Sequence, residues 1–176
     1  MTPKRPRIGQ AVLALGAGIG LPFLLLAAPA VLNPDRAARA ALAFPMAPLV
    51  EYGAQKVVYQ VSQRGSWRDR SREAWRLVHV LNNHIRAVEP DDVTIAVLFH
   101  GDGIDALQRA KDDPNLGHAF DALRKRGVKF RVCLNTLQAY AVPLEALHGV
   151  KADDLVQAAV AELVHLQKQG YAYIRF

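Results

Sequence analysis

The chain of 176 residues holds one cysteine, Cys133, and its setting gives it chemical interest. It follows the strand-like run Val128-Lys129-Phe130-Arg131-Val132 and precedes Leu134-Asn135-Thr136, a turn-and-cap sequence that opens a helix. The sulfur is therefore expected at the carboxyl end of a strand, where open α/β sheets bind ligands, beside helix N–H groups that favour a thiolate. A single thiol forms no disulfide within the chain. Two readings follow: a nucleophilic sulfur, or a small inert core side chain, as free cysteines often are.

The other candidates are those that this placement brings near. His100 closes the run Val93-Thr94-Ile95-Ala96-Val97-Leu98-Phe99, so its imidazole is expected at the neighbouring strand end. There it serves as acid, base or ion-pair partner, or as a histidine bonded to backbone that shapes the loop. Gly101 and Gly103 would let backbone approach a bound group. The N–H groups around Asn135 and Thr136 would hold an anion. Asn83, on the first helix, either reaches the same crevice as a hydrogen-bonding group or is a residue of a solvated face or a satisfied buried amide. The His100-Gly101-Asp102-Gly103 loop lacks a full G-x-G-x-x-G pattern and a P-loop lysine, which argues against nucleotide binding. His79, His84, His118, His148 and His165 share no ligand spacing, so neither a zinc site nor any other metal or cofactor is expected. One cysteine also excludes C-x-x-C-H haem attachment.

The elements that must position these residues alternate. Lys56 to Ser62 is β-branched and aromatic and reads as a strand, followed by a helical pattern carrying Trp67, Trp75, Val78, Leu81 and Ile85. Glu89-Pro90-Asp91-Asp92 breaks that helix, and Val93 to Phe99 is almost continuously apolar, as a strand covered on both faces should be. Short helices are expected from Ile104 to about Ala110 and from Leu116 to Arg126, with Gly127 as the stop before the Cys133 strand. A short helix from Pro143 to His148, an extended piece near Asp154 to Val156, a helix from Gln157 to Gln169 and a last strand from Tyr171 to Arg175 complete the chain. The alternation predicts an α/β fold: a single compact domain with a mostly parallel sheet flanked by helices and right-handed crossovers. Tyr171, Tyr173 and Phe176 suit an edge strand that pairs between protomers.

Residues 1–30 read as a signal peptide or, alternatively, a membrane anchor. Lys4, Arg5 and Arg7 form a positive start, Ile8 to Leu32 carries no charge, and Ala28-Pro29-Ala30 is a small-x-small cleavage site. Either reading puts the folded part outside the cytoplasm, in the periplasm or otherwise exported, with membrane contact only if the segment is uncleaved. Losing three basic and no acidic residues lowers the formal charge from +6 to +3. The remaining charges are interspersed, with Asp69 and Glu73 among the arginines from Arg64 to Arg76, and no nucleic-acid footprint is evident. Residues 31–54 are an Ala/Pro-rich lead-in, and residues 55–176 the ordered domain.

Several strings, in order, resemble the DsrE/DsrF-like sulfur-relay family: Lys56-Val57-Val58-Tyr59-Gln60-Val61, Leu81-Asn82-Asn83, Val97-Leu98-Phe99-His100-Gly101, the run from Gly127 through Cys133 to Thr136, and Leu166 to Ile174. The resemblance spans about Lys56 to Phe176. It implies a DsrE-like fold with a mainly parallel sheet, homo-oligomers such as trimers or hexamers, and a cysteine that carries sulfur as a persulfide, here at Cys133. It also implies a sulfur donor and acceptor, which for an exported protein differ from cytoplasmic relay partners. The expected function is thus an exported sulfur-binding or sulfur-relay protein, a carrier more than a turnover enzyme. The alternative is a non-catalytic homo-oligomeric binding or scaffold module with Cys133 buried and inert.

Overall fold

Among the strands, the apolar run Val93–Phe99 has the most buried centre: its last five residues, Ile95 to Phe99, are all buried. A strand hidden on both faces needs helices above and below, and the chain supplies them unequally. This computed structural model describes residues 50–63, 70–89 and 92–176. Trp67 and the expected leader therefore lie outside the described residues, and residues 50–54 form neither helix nor strand.

In chain order the elements are β1 (Gln55–Val61), α1 (Arg70–Val88), β2 (Val93–Phe99), α2 (Asp105–Asp112), α3 (Pro114–Lys125), β3 (Lys129–Cys133), α4 (Leu134–Ala139), β4 (Leu155–Val156), α5 (Ala159–Lys168) and β5 (Ala172–Arg175). Short 3₁₀ turns occupy Gly101–Ile104, Leu144–Ala146 and Ala152–Asp154. The five strands form one sheet in the order β4-β3-β2-β1-β5, every neighbouring pair parallel. The expected parallel α/β fold is the observed one. Among the described residues no helix is long and apolar enough to cross a membrane.

Alternation along the strands sorts the side chains onto two faces. Val57, Tyr59, Val61, Ile95, Val97, Phe99, Phe130 and Val132 face α1, α2 and α3. The centre of that core is an aromatic trio: Phe130 lies 5.4 Å from Phe99 and 5.5 Å from Phe120 between ring centroids, edge to face in both cases. Val58, Ala96, Leu98 and Cys133 point the other way and pack under Ala159, Leu163 and Leu166 of α5.

Local chemistry sets the ends of the elements. Asp113 caps α3, its Oδ1 accepting from the N–H groups of Asn115 (2.9 Å) and Leu116 (3.3 Å), and Pro114 at the first helical position needs no partner for a missing N–H. Two expected helices are shorter in the structure. The helix expected over Pro143 to His148 is only the 3₁₀ turn Leu144–Ala146, entered from an extended Pro143. The helix expected from Gln157 starts at Ala159, because Val156 is held in the sheet opposite Cys133 and Ala158 remains extended (φ −145°, ψ 127°).

The two-residue β4 is too short to anchor itself. Asp154, immediately before it, accepts both Nη1 (3.1 Å) and Nη2 (3.0 Å) of Arg124, whose guanidinium stacks 4.3 Å from the centre of the Phe130 ring. This bidentate, half-buried pair fixes the approach to β4 against α3 and β3. Phe120→Ala, which opens a void beside Phe99 and Phe130, is expected to cost about 3–5 kcal/mol in urea unfolding; a loss under about 1 kcal/mol would show that the trio is not the centre of the core.

Candidate functional site

Cys133 ends β3 and is the residue from which α4 starts, with extended backbone (φ −72°, ψ 114°). Its side chain belongs to the face covered by α5, and the residue is only 5 % exposed. The Sγ accepts a hydrogen bond from the Ala159 N–H at 3.4 Å. That contact follows from the register: Val156 lies opposite Cys133, and the extended Gln157-Ala158 step carries the first N–H of α5 over the sulfur.

The sulfur feels opposing influences. Burial pushes the thiol pKa up, but the hydroxyl and N–H of Thr136 and the N–H groups of Ala159 and Asn135 favour the thiolate, and the net position is below that of an ordinary thiol. The contacts with α4 fall short of full capping hydrogen bonds, so the Ala159 bond is the best formed of the set.

Thr136 links this strand end to the next. Its Oγ1 accepts from the Gly101 N–H at 3.1 Å, so the loop after β2 and the first turn of α4 are tied together. Gly101 has φ +51°, the left-handed region that glycine tolerates. Gly103 is needed for a different reason: a Cβ there would lie 2.0 Å from the Val61 carbonyl oxygen, so the close approach is to the chain's own β1.

His100 sits at the same edge of the sheet but faces a different partner. Its N–H bonds the Val61 carbonyl (3.1 Å), and its Nε2 lies 2.7 Å from Gln60 Nε2. Gln60 Oε1 accepts the Tyr173 hydroxyl, which leaves the Gln60 amide N–H₂ to donate to the imidazole. A ring nitrogen that accepts is unprotonated, and burial lowers the His100 pKa in the same sense. Among the described residues no hydrogen bond joins His100 to Cys133; what connects them is Gly101, next in the chain, through Thr136.

Asn135 is exposed and pairs with Gln157: Gln157 Nε2 donates to its Oδ1 (2.8 Å), and its own N–H reaches the Gln157 carbonyl (3.3 Å). The pair spans the gap between α4 and the approach to α5, beside the buried sulfur. Asn83 does not reach this region. A helix leaving the carboxyl end of β1 runs back along the sheet, and thirteen residues into α1 it has travelled about 20 Å toward the amino ends of the strands. There Asn83 is exposed and accepts from Arg86 Nη2 (2.5 Å), while its neighbour His84 bonds Gln55 at the start of β1 (2.8 Å).

Of the residues singled out from sequence, the structure thus gathers Cys133, Thr136, Asn135 and Gly101, sets His100 beside them on other partners, gives Gly103 a packing role and removes Asn83. It adds Gln157, Ala159, Gln60 and Tyr173. Nothing local marks these four, because their roles arise from sheet register and from the return of the chain to β5. An apolar groove of about 330 Å³ lies nearby, lined by Leu134, Leu137, Pro143 and Leu155 among others, but Cys133 is not part of its lining. Among the described residues no three potential ligands converge on a metal site.

Among the described residues, fold and site define a wholly parallel α/β domain with one buried cysteine at a strand end, its thiolate favoured by neighbouring donors. The model of the DsrE/DsrF-like family matches residues 55–176, and the chain belongs to that family. A solved protein of unknown function from Methanobacterium thermoautotrophicum is similar to it, at 27 % identity and a TM-score of 0.56, over 69 % of this chain and 99 % of the other. No curated protein matches significantly.

The Asn135–Gln157 pair generates a test. Removing one such bond by Gln157→Ala is expected to raise the rate of Cys133 alkylation by iodoacetamide in the native protein by a factor of about 2–10, through easier local opening. An unchanged rate, followed by intact-mass measurement, would mean that the pair does not limit access.

Proposed function

We propose that this protein is an exported sulfur carrier that holds a persulfide on Cys133. The observation that carries the reading is the set of donors around one sulfur: the Ala159 N–H at 3.4 Å, with Thr136 and Asn135 also favouring the anion. Membership of the DsrE/DsrF-like family supports it. Export rests on Lys4, Arg5, Arg7, the uncharged stretch Ile8 to Leu32 and Ala28-Pro29-Ala30.

The chemistry needs no cofactor. The Cys133 thiolate attacks the outer sulfur of a donor persulfide or of thiosulfate; the donor's S–S bond breaks, and the donor leaves with the electron pair as a thiolate or sulfite. Cys133 then carries a terminal sulfur as a persulfide anion, held by the same N–H groups. An acceptor thiolate attacks that sulfur and returns Cys133 to its thiolate. His100, held neutral by Gln60, is assigned to shaping the loop and the polar edge, with Gly101, Asn135 and Thr136 nearest the bound sulfur.

The burial of Cys133, 5 % exposed, favours a second reading: a binding or scaffold module in which the thiol only packs. Intact-mass spectrometry decides between the two. The carrier is expected to gain one or more sulfur atoms on incubation with thiosulfate or polysulfide, at Cys133, reversibly with a thiol reductant, and to lose this in Cys133→Ser with the fold intact. No adduct, together with alkylation only after denaturation, would establish the packing role.

We also propose that the protein assembles with itself as a homotrimer or hexamer. β5 is an edge strand with all four residues exposed, and Val160 and Val164 of α5 stand 69 % and 52 % exposed on the same chain. Val164→Glu, which costs no core packing in the single chain, is expected to convert the assembly to monomer in sedimentation velocity. A wild-type protein that stays monomeric at high micromolar concentration would refute the assembly.

A further inference from the structure

We propose that Gln60, held by Tyr173 of the edge strand, is a positioning residue that fixes His100 as an imidazole protonated on Nδ1, so that His100 serves the sulfur site as a hydrogen-bond donor and not as a base. The role rests on the reading of Cys133 as a sulfur carrier, and it goes beyond shaping the loop. Its geometric basis is a chain of two contacts across three strands. The Tyr173 hydroxyl on β5 donates to Gln60 Oε1 across 113 residues of sequence, and the other end of the same amide, Nε2, lies 2.7 Å from His100 Nε2. An amide whose oxygen accepts from a phenol presents its N–H₂ to the ring, and a ring nitrogen that meets a donor carries a lone pair. A neutral imidazole has one such nitrogen, so the proton resides on Nδ1 and the only basic atom is already engaged.

Strand register places that ring beside the sulfur. Leu98 pairs with Arg131 and Phe99 with Val132, and His100 continues β2 with extended backbone (φ −155°, ψ 171°), so the next pair across the two strands is His100 and Cys133. Alternation puts both on the face covered by α5: Leu98 and Cys133 pack there, while Phe99 and Val132 point the other way. Neighbouring strands lie about 4.8 Å apart, a span that an imidazole on one and a sulfur group on the next can bridge. The ionisable groups on the surrounding elements are Tyr173 and Arg175 on β5, Asp102 in the turn after the ring, Arg131 and Cys133 on β3, and Glu162 on α5. Arg131 is engaged by the Asp153 carbonyl (3.0 Å) and by Glu162 (3.7 Å), and among the described residues no ion pair joins any of these groups to the imidazole. Without an ion pair to hold a second proton the ring stays neutral, and burial acts in the same sense. A persulfide on Cys133, or an incoming thiosulfate, is an anion that the Nδ1 N–H can bond and the engaged Nε2 cannot.

Two measurements on the full chain test this. The first is the tautomer of His100, read from its ring nitrogen-15 chemical shifts in the sulfur-free protein at neutral pH. The wild type is expected to carry the proton on Nδ1. Gln60→Glu, whose carboxylate accepts where the amide donated, is expected to move the proton to Nε2 and raise the midpoint of ring protonation by about one pH unit. Tyr173→Phe, which frees the amide to turn over, is expected to give a mixture of both tautomers. A proton on Nε2 in the wild type, or one that stays on Nδ1 in Gln60→Glu, would overturn the positioning. The second is the rate of sulfur gain from thiosulfate, followed by intact mass. His100→Ala is expected to slow it about tenfold, and His100→Asn, which has an N–H₂ donor but no basic nitrogen, to recover most of that loss. An asparagine variant as slow as the alanine variant would show that a base was lost and would overturn the donor role. Because the tautomer is read without sulfur, an Nδ1 proton in a protein that never gains sulfur would sink the carrier reading and leave the positioning by Gln60 standing. Sulfur loading with the proton on Nε2 would do the reverse.

Discussion

Parallel strands cannot be joined by tight turns, and the crossovers that join them are right-handed. The rest of this structure depends on that constraint. From β1 through β2 and β3 to β4 the chain moves across the sheet in one direction, and α1, α2 and α3 collect on one face. The return from β4 to β5 reverses the direction, so the same handedness carries α5 across the opposite face. Cys133 points to that face, and its shielding and its best hydrogen bond both come from this one reversal.

The sulfur's environment is a compromise between two demands. A thiolate must be solvated by something, and burial removes water; here backbone N–H groups and a threonine hydroxyl replace it, and their combined influence exceeds the burial penalty. On one side the cover consists of an exposed Asn135–Gln157 pair and a two-residue strand, with the Arg124–Asp154 clamp supplying the rigidity that β4 lacks.

Legibility from sequence followed how local each cause is. The strands β1 and β2 announce themselves because a run such as Val93 to Phe99 has few other stable environments than a sheet covered on both sides. Gly127 marks the end of α3 through its own backbone chemistry, whereas the start expected at Leu116 lies two residues earlier, at Pro114 after the Asp113 cap. Gln157 was the reverse case: its sequence continues a helical pattern, yet pairing of Val156 with Cys133 holds the backbone extended for two more residues. Asn83 shows the same limit. Its helix was evident, but which end of the sheet it flanks depends on how far the helix runs back along the strands.

By itself the sequence determined the parallel α/β class, the limits of most helices and strands, and the place of Cys133 where a strand gives way to a helix. Those features rest on periodicity, caps and turn residues, which act over a few positions. Only the tertiary structure decided that His100 bonds Gln60 while Thr136 reaches Gly101, and that the N–H of Ala159 meets the sulfur. These are contacts between residues 26 to 40 positions apart, set by strand register and by the face on which α5 returns, and no local pattern encodes either.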